Sequence, residues 1–200
     1  MLRLITVLCF IFSIQSLGLS QKDTMPKELP FHTIDDYPDT LTAATILARS
    51  IEGLGFRYYW ATEGLTLADY DYSAGNGNRS VREVLEHVLD LSDMVHNVVL
   101  GIPNIRPRPR TKKSDYVRRR TTLNNLWKAV SYLRDHPELD LASRPIVYQR
   151  GETVSEMPNW HLYNGPLADA LWHCGQIVSH RRAAGNPIPD GVNVFMGSKE

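Results

Sequence analysis

Cysteine is nearly missing from this chain. Of 200 residues only Cys9 and Cys174 carry a thiol. Cys9 falls in an N-terminal segment read below as a removable leader, so the mature chain would keep Cys174 alone and no intramolecular disulfide could form. Neither charge is in excess: 22 Lys and Arg balance 22 Asp and Glu. That balance leaves no electrostatic footprint for a nucleic acid or an anionic membrane surface. Past the N-terminus no apolar run reaches the roughly 20 residues a bilayer requires. There is no internal repeat and no strand-rich region. What is present is a chain with 42% apolar residues, ordinary for a globular protein and long enough to bury a core without cross-links.

The first twenty residues read as an address rather than as structure. Met1-Leu2-Arg3 gives a short positive start, residues 4–17 are nearly all apolar, and Ser16, Gly18 and Ser20 supply small residues after them. That order is the pattern of a secretory signal peptide, with an uncleaved anchor as the alternative. Cleavage is expected after Gly18 or Ser20, and the location is periplasmic or secreted. Residues 21–39 hold Pro26, Pro30 and Pro38 without periodicity and read as a tether. Residues 40–200 read as one domain.

Within that domain the apolar pattern has helical spacing. Ala44, Leu47, Ile51, Leu54, Tyr58 and Ala61 recur at intervals of three and four, predicting a first helix from Asp39 or Thr40 to about Glu63. Gly53 and Gly55 weaken it, each by about 1 kcal/mol relative to Ala. Residues 66–79 read as a polar loop. Ser80-Val81-Arg82-Glu83 is a capping box opening a second helix to Leu100, with Val84, Val88, Leu91, Val95 and Val98 as its stripe. A Pro/Arg/Lys-rich linker over 103–114 leads to a third helix from Ser114 or Asp115 to Asp135, lined by Leu123, Leu126, Trp127, Val130 and Leu133. Residues 138–160 form a long irregular connection, in which 145–148 can be extended; such lengths are uncommon in compact domains and often functional. A fourth helix is expected from Leu162 or Pro166 to Ala184, stopped by Gly185-Asn186-Pro187. Val192, Val194 and Phe195 in the tail are candidates to dock on the body. Unequal loop lengths between four long helices predict an all-α four-helix bundle with a crossover connection.

The fourth helix carries an anomaly. With about 100° between successive residues, Asp169, His173, Gln176 and His180 share one narrow stripe. Cys174 and Ile177 flank it, while Gly175, Ser179 and Arg182 fall on the opposite side. The stripe therefore reads as inward-facing. A carboxylate and an imidazole buried together need a partner. One cation satisfies both, because residues i and i+4 reach the same point. His87, beside the apolar stripe of the second helix, is the candidate third ligand. Two imidazoles and one carboxylate leave positions open on a metal, which suits catalysis. Each part also has a plainer reading: a histidine on an apolar stripe is usually a packed core residue, and Asp-x-x-x-His is usually a surface pair. Cys174 reads as a small packed residue, His161 as peripheral, and Tyr58, Tyr59 and Trp60 as core or pocket lining. Asn78-Arg79-Ser80 matches a glycosylation sequon and carries little weight.

Glu83-Val84-Leu85-Glu86-His87-Val88-Leu89 and Asp169-Ala170-Leu171-Trp172-His173-Cys174-Gly175-Gln176-Ile177 together resemble the DinB-like superfamily over about residues 40–185. That superfamily includes thiol-dependent S-transferases and proteins described as metal-dependent hydrolases. Its members place one His in the second helix and His-x-x-x-His-x-Gly-Gln in the fourth. The resemblance implies a four-helix bundle with a divalent metal in a central pocket, His87 and His173 as ligands, and Gly175-Gln176 as the Gly-Gln pair. Asp169 stands where the family has a His, and Cys174 where an Arg is common. The carboxylate shifts preference toward harder ions, so Zn, Ni, Mn and Fe are all candidates.

On this reading the protein is an exported, metal-dependent hydrolase or thiol transferase acting on a small molecule. Gln176 would support a ligand and His180 would be a candidate proton carrier. The alternative is a non-catalytic metal- or small-ligand-binding bundle of the cell envelope, and a bundle without metal is the third. No nucleic acid, no membrane span after leader cleavage, and optionally a homodimer complete the expected partners.

Overall fold

A computed structural model describes residues 28–34, 37–108 and 112–200. The expected leader and the start of the tether lie outside the described residues. Four long helices dominate: α1 (Ala43–Thr62), α3 (Val81–Leu100), α4 (Asp115–Asp135) and α6 (Ala168–Ala183). A short α2 (Leu67–Asp71) lies between the first two. Capping chemistry sets the starts. Thr42 and Thr45 form a capping box at α1, Ser80 and Glu83 another at α3, and Ser114 caps α4. Each satisfies amide donors that the first turn leaves open. Gly101 ends α3 in the left-handed conformation, φ 72°, which suits a residue without Cβ.

The long helices pack in a ring: α1 touches α4 and α6, and α3 touches the same two. The consecutive helices α1 and α3 therefore sit diagonally. The predicted stripes of α1 and α3 are buried throughout, as are Leu123, Leu126, Val130 and Leu133 of α4.

The all-α expectation is corrected by what lies between the helices. The fold is mixed. The connection after α4 is a β-hairpin, β2 (Ile146–Arg150) against β3 (Thr153–Met157), turning at Gly151 with φ 59°. Strand β1 (Asn104–Ile105), from the linker after α3, pairs parallel to β2. A second, two-stranded sheet joins β4 (Val192–Asn193) to β5 (Ser198–Lys199). The physical reason for the miss is exposure. All five residues of β3 face solvent, so nothing forces alternation of apolar and polar positions. Asn104 fixes the larger sheet to the helices. It is buried, accepts from Asn97 Nδ2 at 3.2 Å and donates to the Val147 carbonyl at 3.1 Å.

The expected fourth helix is three pieces. A single turn, α5 (Trp160–Leu162), enters a π-type turn over Tyr163–Leu167 before α6 begins. Pro166 has no N–H to give to the ladder, and Gly165 leaves helical geometry at φ −95°, ψ −107°. Such turns occur disproportionately at functional sites, and this one directly precedes Asp169.

The described part of the tether is not free. Phe31, at φ 70°, lays its ring against Gly55, where a Cβ would come within 2.6 Å of it. Ile34 donates its amide to the Gly197 carbonyl of the C-terminal hairpin at 2.8 Å. Of the tail residues expected to dock, Phe195 is instead 93% exposed.

Candidate metal centre

Helices α3 and α6 bring His87, Asp169 and His173 together. His87 Nε2 lies 3.0 Å from Asp169 Oδ2, and His173 Nε2 lies 3.3 Å from Asp169 Oδ1. The two imidazole rings stand edge to face, centroids 4.8 Å apart. One ligand atom from each residue can be chosen so that all lie within 4.8 Å of one another. Ligands about 2.1 Å from a common ion are separated by about 3.0 Å at right angles and at most about 4.2 Å when opposed. The two close contacts use different oxygens of Asp169, so the carboxylate would meet an ion through both oxygens or turn one of them toward it. The three residues offer the donor set of a metal site.

Gln176 Oε1 sits 2.9 Å from His173 Nδ1. A proton on Nδ1 donated to that oxygen would leave the Nε2 lone pair free for an ion. This is the outer support that metal-binding histidines generally have. Asp169 lies in the first turn of α6, where the helix dipole favours negative charge.

The predicted inward stripe is corrected in position. The face of α6 turned to the core is Ala170, Cys174, Ile177 and Arg181, all buried. The polar stripe lies along one edge of that face, toward α3. His173 keeps 12% of its side-chain exposure, His87 32% and Asp169 44%. A helical wheel could not show this, because the burial of the long charged Arg181 has no apolar signature.

Partial exposure is what an accessible centre needs. Asp169 lines a cleft of about 640 Å³. Its walls include Leu91 and Met94 of α3, Ile146, Tyr148 and Met157 of the sheet, and Trp172 of α6. The Tyr148 hydroxyl donates to Met94 Sδ at 3.5 Å. Apart from Asp169, His161 and Asn164 are its main polar side chains, and no Lys or Arg is among its described lining residues. His161, read as peripheral, thus stands at the cleft. The hairpin that sequence reasoning left as irregular supplies much of its wall.

The other candidates fall elsewhere. His180 is buried further along α6, its ring against Tyr72 at 5.7 Å, with Nδ1 unpartnered among the described residues. Burial lowers its pKa below the ordinary histidine value. Cys174 is buried, and desolvation pushes its thiol up to about 12, which bears out the packed reading. Tyr58 is core, whereas Tyr59 and Trp60 pack around His32 of the N-terminal segment.

Sequence reasoning missed Arg181. Its guanidinium, 1% exposed, donates to the carbonyls of Trp60, Ala61 and Glu63 at the end of α1, and to Asn186. Asn186 in turn donates to the buried Asp69 at 2.6 Å. The only signal was an arginine one turn after an apolar residue.

Comparison with models of protein families, with curated proteins and with solved structures finds no match to this chain.

Proposed function

We propose that this chain is an exported, DinB-like metal-dependent enzyme that holds one divalent ion through His87, Asp169 and His173 and acts on a small molecule in the adjoining cleft. The observation that carries the reading is the convergence of two imidazoles on one carboxylate beside that cleft. A divalent ion bound there would act as a Lewis acid, lowering the pKa of a water or thiol. Every other role belongs to the protein. Gln176 is placed to orient the His173 ring, Ile146, Tyr148 and Met157 of the hairpin line one side of the cleft, and the apolar wall receives an uncharged substrate body. Hydrolysis and thiol transfer are the two reaction types this arrangement serves. Export rests on the order of charge, apolar run and small residues at the N-terminus. Among the described residues no helix is long and apolar enough to cross a membrane.

A non-catalytic carrier is the second reading. It is favoured by one observation: His180, the candidate proton carrier, is covered by Tyr72 rather than facing the cleft.

Elemental analysis of untagged protein, followed by calorimetric titration with Zn²⁺ and Mn²⁺, tests the centre. His87→Ala and Asp169→Ala are each expected to weaken binding at least about tenfold, and His161→Ala to leave it unchanged. Metal affinity that survives both ligand substitutions would remove the site. Metal-dependent cleavage of an activated ester, or alkylation of a small thiol, that is lost in Asp169→Ala separates the enzyme from the carrier.

A further inference from the structure

Helix α6 has a second working side. Leu171, Gly175 and Val178 lie roughly half a turn around the helix from Asp169 and His173. Together with Cys174 they form one wall of a groove of about 1010 Å³; α1 forms the other, and Ile188, Val192 and Val194 of the C-terminal segment close one side. This is the scale of a small-molecule site, about 300–1,000 Å³. The groove reaches the surface at Leu41, 86% exposed, and Tyr37, 74% exposed. Its floor is open because of Gly175, where an added Cβ would meet nothing within 4 Å.

Its charge is one-sided. Arg49 and Arg57 line it, and no acidic side chain does among the described lining residues. Arg49 is paired with Glu52 at 3.2 Å. Arg57 donates to the carbonyls of Gly53, at 2.9 Å, and Val194, at 3.2 Å, and has no carboxylate partner among the described residues. A guanidinium has five donors, and carbonyls bring no counter-charge. A partly buried cation at an apolar groove is therefore without an anion among the described residues.

We propose that this groove binds a single-chain amphipathic monoanion of the fatty-acid class, with its chain lying between α1 and α6 and its carboxylate on Arg57. A second copy of this apolar surface would enclose Arg57 without neutralising it, which is costly. A flat bilayer cannot enter the concavity. The site is separate from the metal centre and does not depend on it.

Titration of the full chain with dodecanoate below its micelle concentration, followed by calorimetry and by tryptophan fluorescence, tests this. Saturable one-to-one binding is expected, weakened at least about tenfold for dodecanol and in Arg57→Gln, since a charge-assisted contact is lost. Gly175→Leu, which fills the floor at an open helical position, is expected to abolish binding while leaving the far-ultraviolet circular dichroism unchanged. His87→Ala is expected to bind dodecanoate normally. Four results overturn the proposal: no saturable binding; equal affinity for the alcohol and the acid; loss of binding in His87→Ala, which would place the carboxylate at the metal; or a dimer that Gly175→Leu dissolves and dodecanoate does not affect. Binding to phosphatidylglycerol vesicles in preference to free dodecanoate would likewise replace it with a membrane contact.

Discussion

At the scale of single residues, three neighbours on α6 show how position sets chemistry. Cys174 and His180 are both buried, and burial penalises the charged form of each. The thiol rises to about 12, so at neutral pH it stays protonated and unreactive. The His180 pKa falls below the ordinary value near 6.5. Between the two values the unfolded chain binds a proton that the folded chain refuses, so stability rises with pH there. It is complete above about 6.5 and drains away as pH falls toward the folded value. Thermal melts from pH 7.5 to 5.0 are expected to show a steeper loss for the wild type than for His180→Gln. Parallel curves would mean that the ring is accessible to protons in the native state. His173, by contrast, keeps polar neighbours on both ring nitrogens, Gln176 at Nδ1 and Asp169 at Nε2, which suits a ligand.

At the scale of elements, the unusual feature is that one helix finishes another. The last turn of α1 contains no basic residue and would leave its final carbonyls without donors. Arg181 reaches from α6 to three of them and supplies the positive charge that a helix C-terminus favours. Arg181→Met keeps the apolar stem but removes every donor. It is expected to cost at least about 2 kcal/mol, because buried carbonyls go unpaired. Urea unfolding measures this, and a change below about 0.5 kcal/mol would show that water replaces the guanidinium. The break between α5 and α6 works at the same scale: Gly165 and Pro166 end one helical segment so that the next starts at the carboxylate. Hairpin residues Ile146, Tyr148 and Met157 line the same cleft as the break.

At the scale of the whole molecule, α3 and α6 are adjacent in the ring of helices, so an ion between them would tie together segments that are distant in the chain. Binding to the folded state alone stabilises by mass action, about 2.7 kcal/mol at a hundredfold excess over the dissociation constant. For a domain of this size that corresponds to a rise in Tm of several degrees. Zn²⁺ or Mn²⁺ is expected to raise the Tm of the wild type in a concentration-dependent way and to leave His87→Ala unchanged. Equal shifts in both would assign the effect to other sites. The two ends of the described chain are joined as well, through Ile34 on Gly197.

What the sequence determined by itself was what local rules govern. The capped starts of α3 and α4 follow from side chains bonding amides three residues away, whereas α1 is capped by Thr42 and not by the expected Asp39 or Thr40; the buried stripes of α1, α3 and α4 follow from period. The spacing of Asp169 and His173 needed nothing beyond helical geometry. What only the tertiary structure decided was what depends on distant neighbours. Of the larger sheet only the extended piece at 145–148, now the start of β2, was legible; β3 faces water throughout and β1 is two residues long. Gly55 read as a weak point in a helix, yet it is the seat for Phe31. Arg181 drew no reading, because nothing in its own segment shows that the end of α1 needs it. The polar stripe of α6 was legible as a stripe; which way it turned was settled by the volume of core on either side.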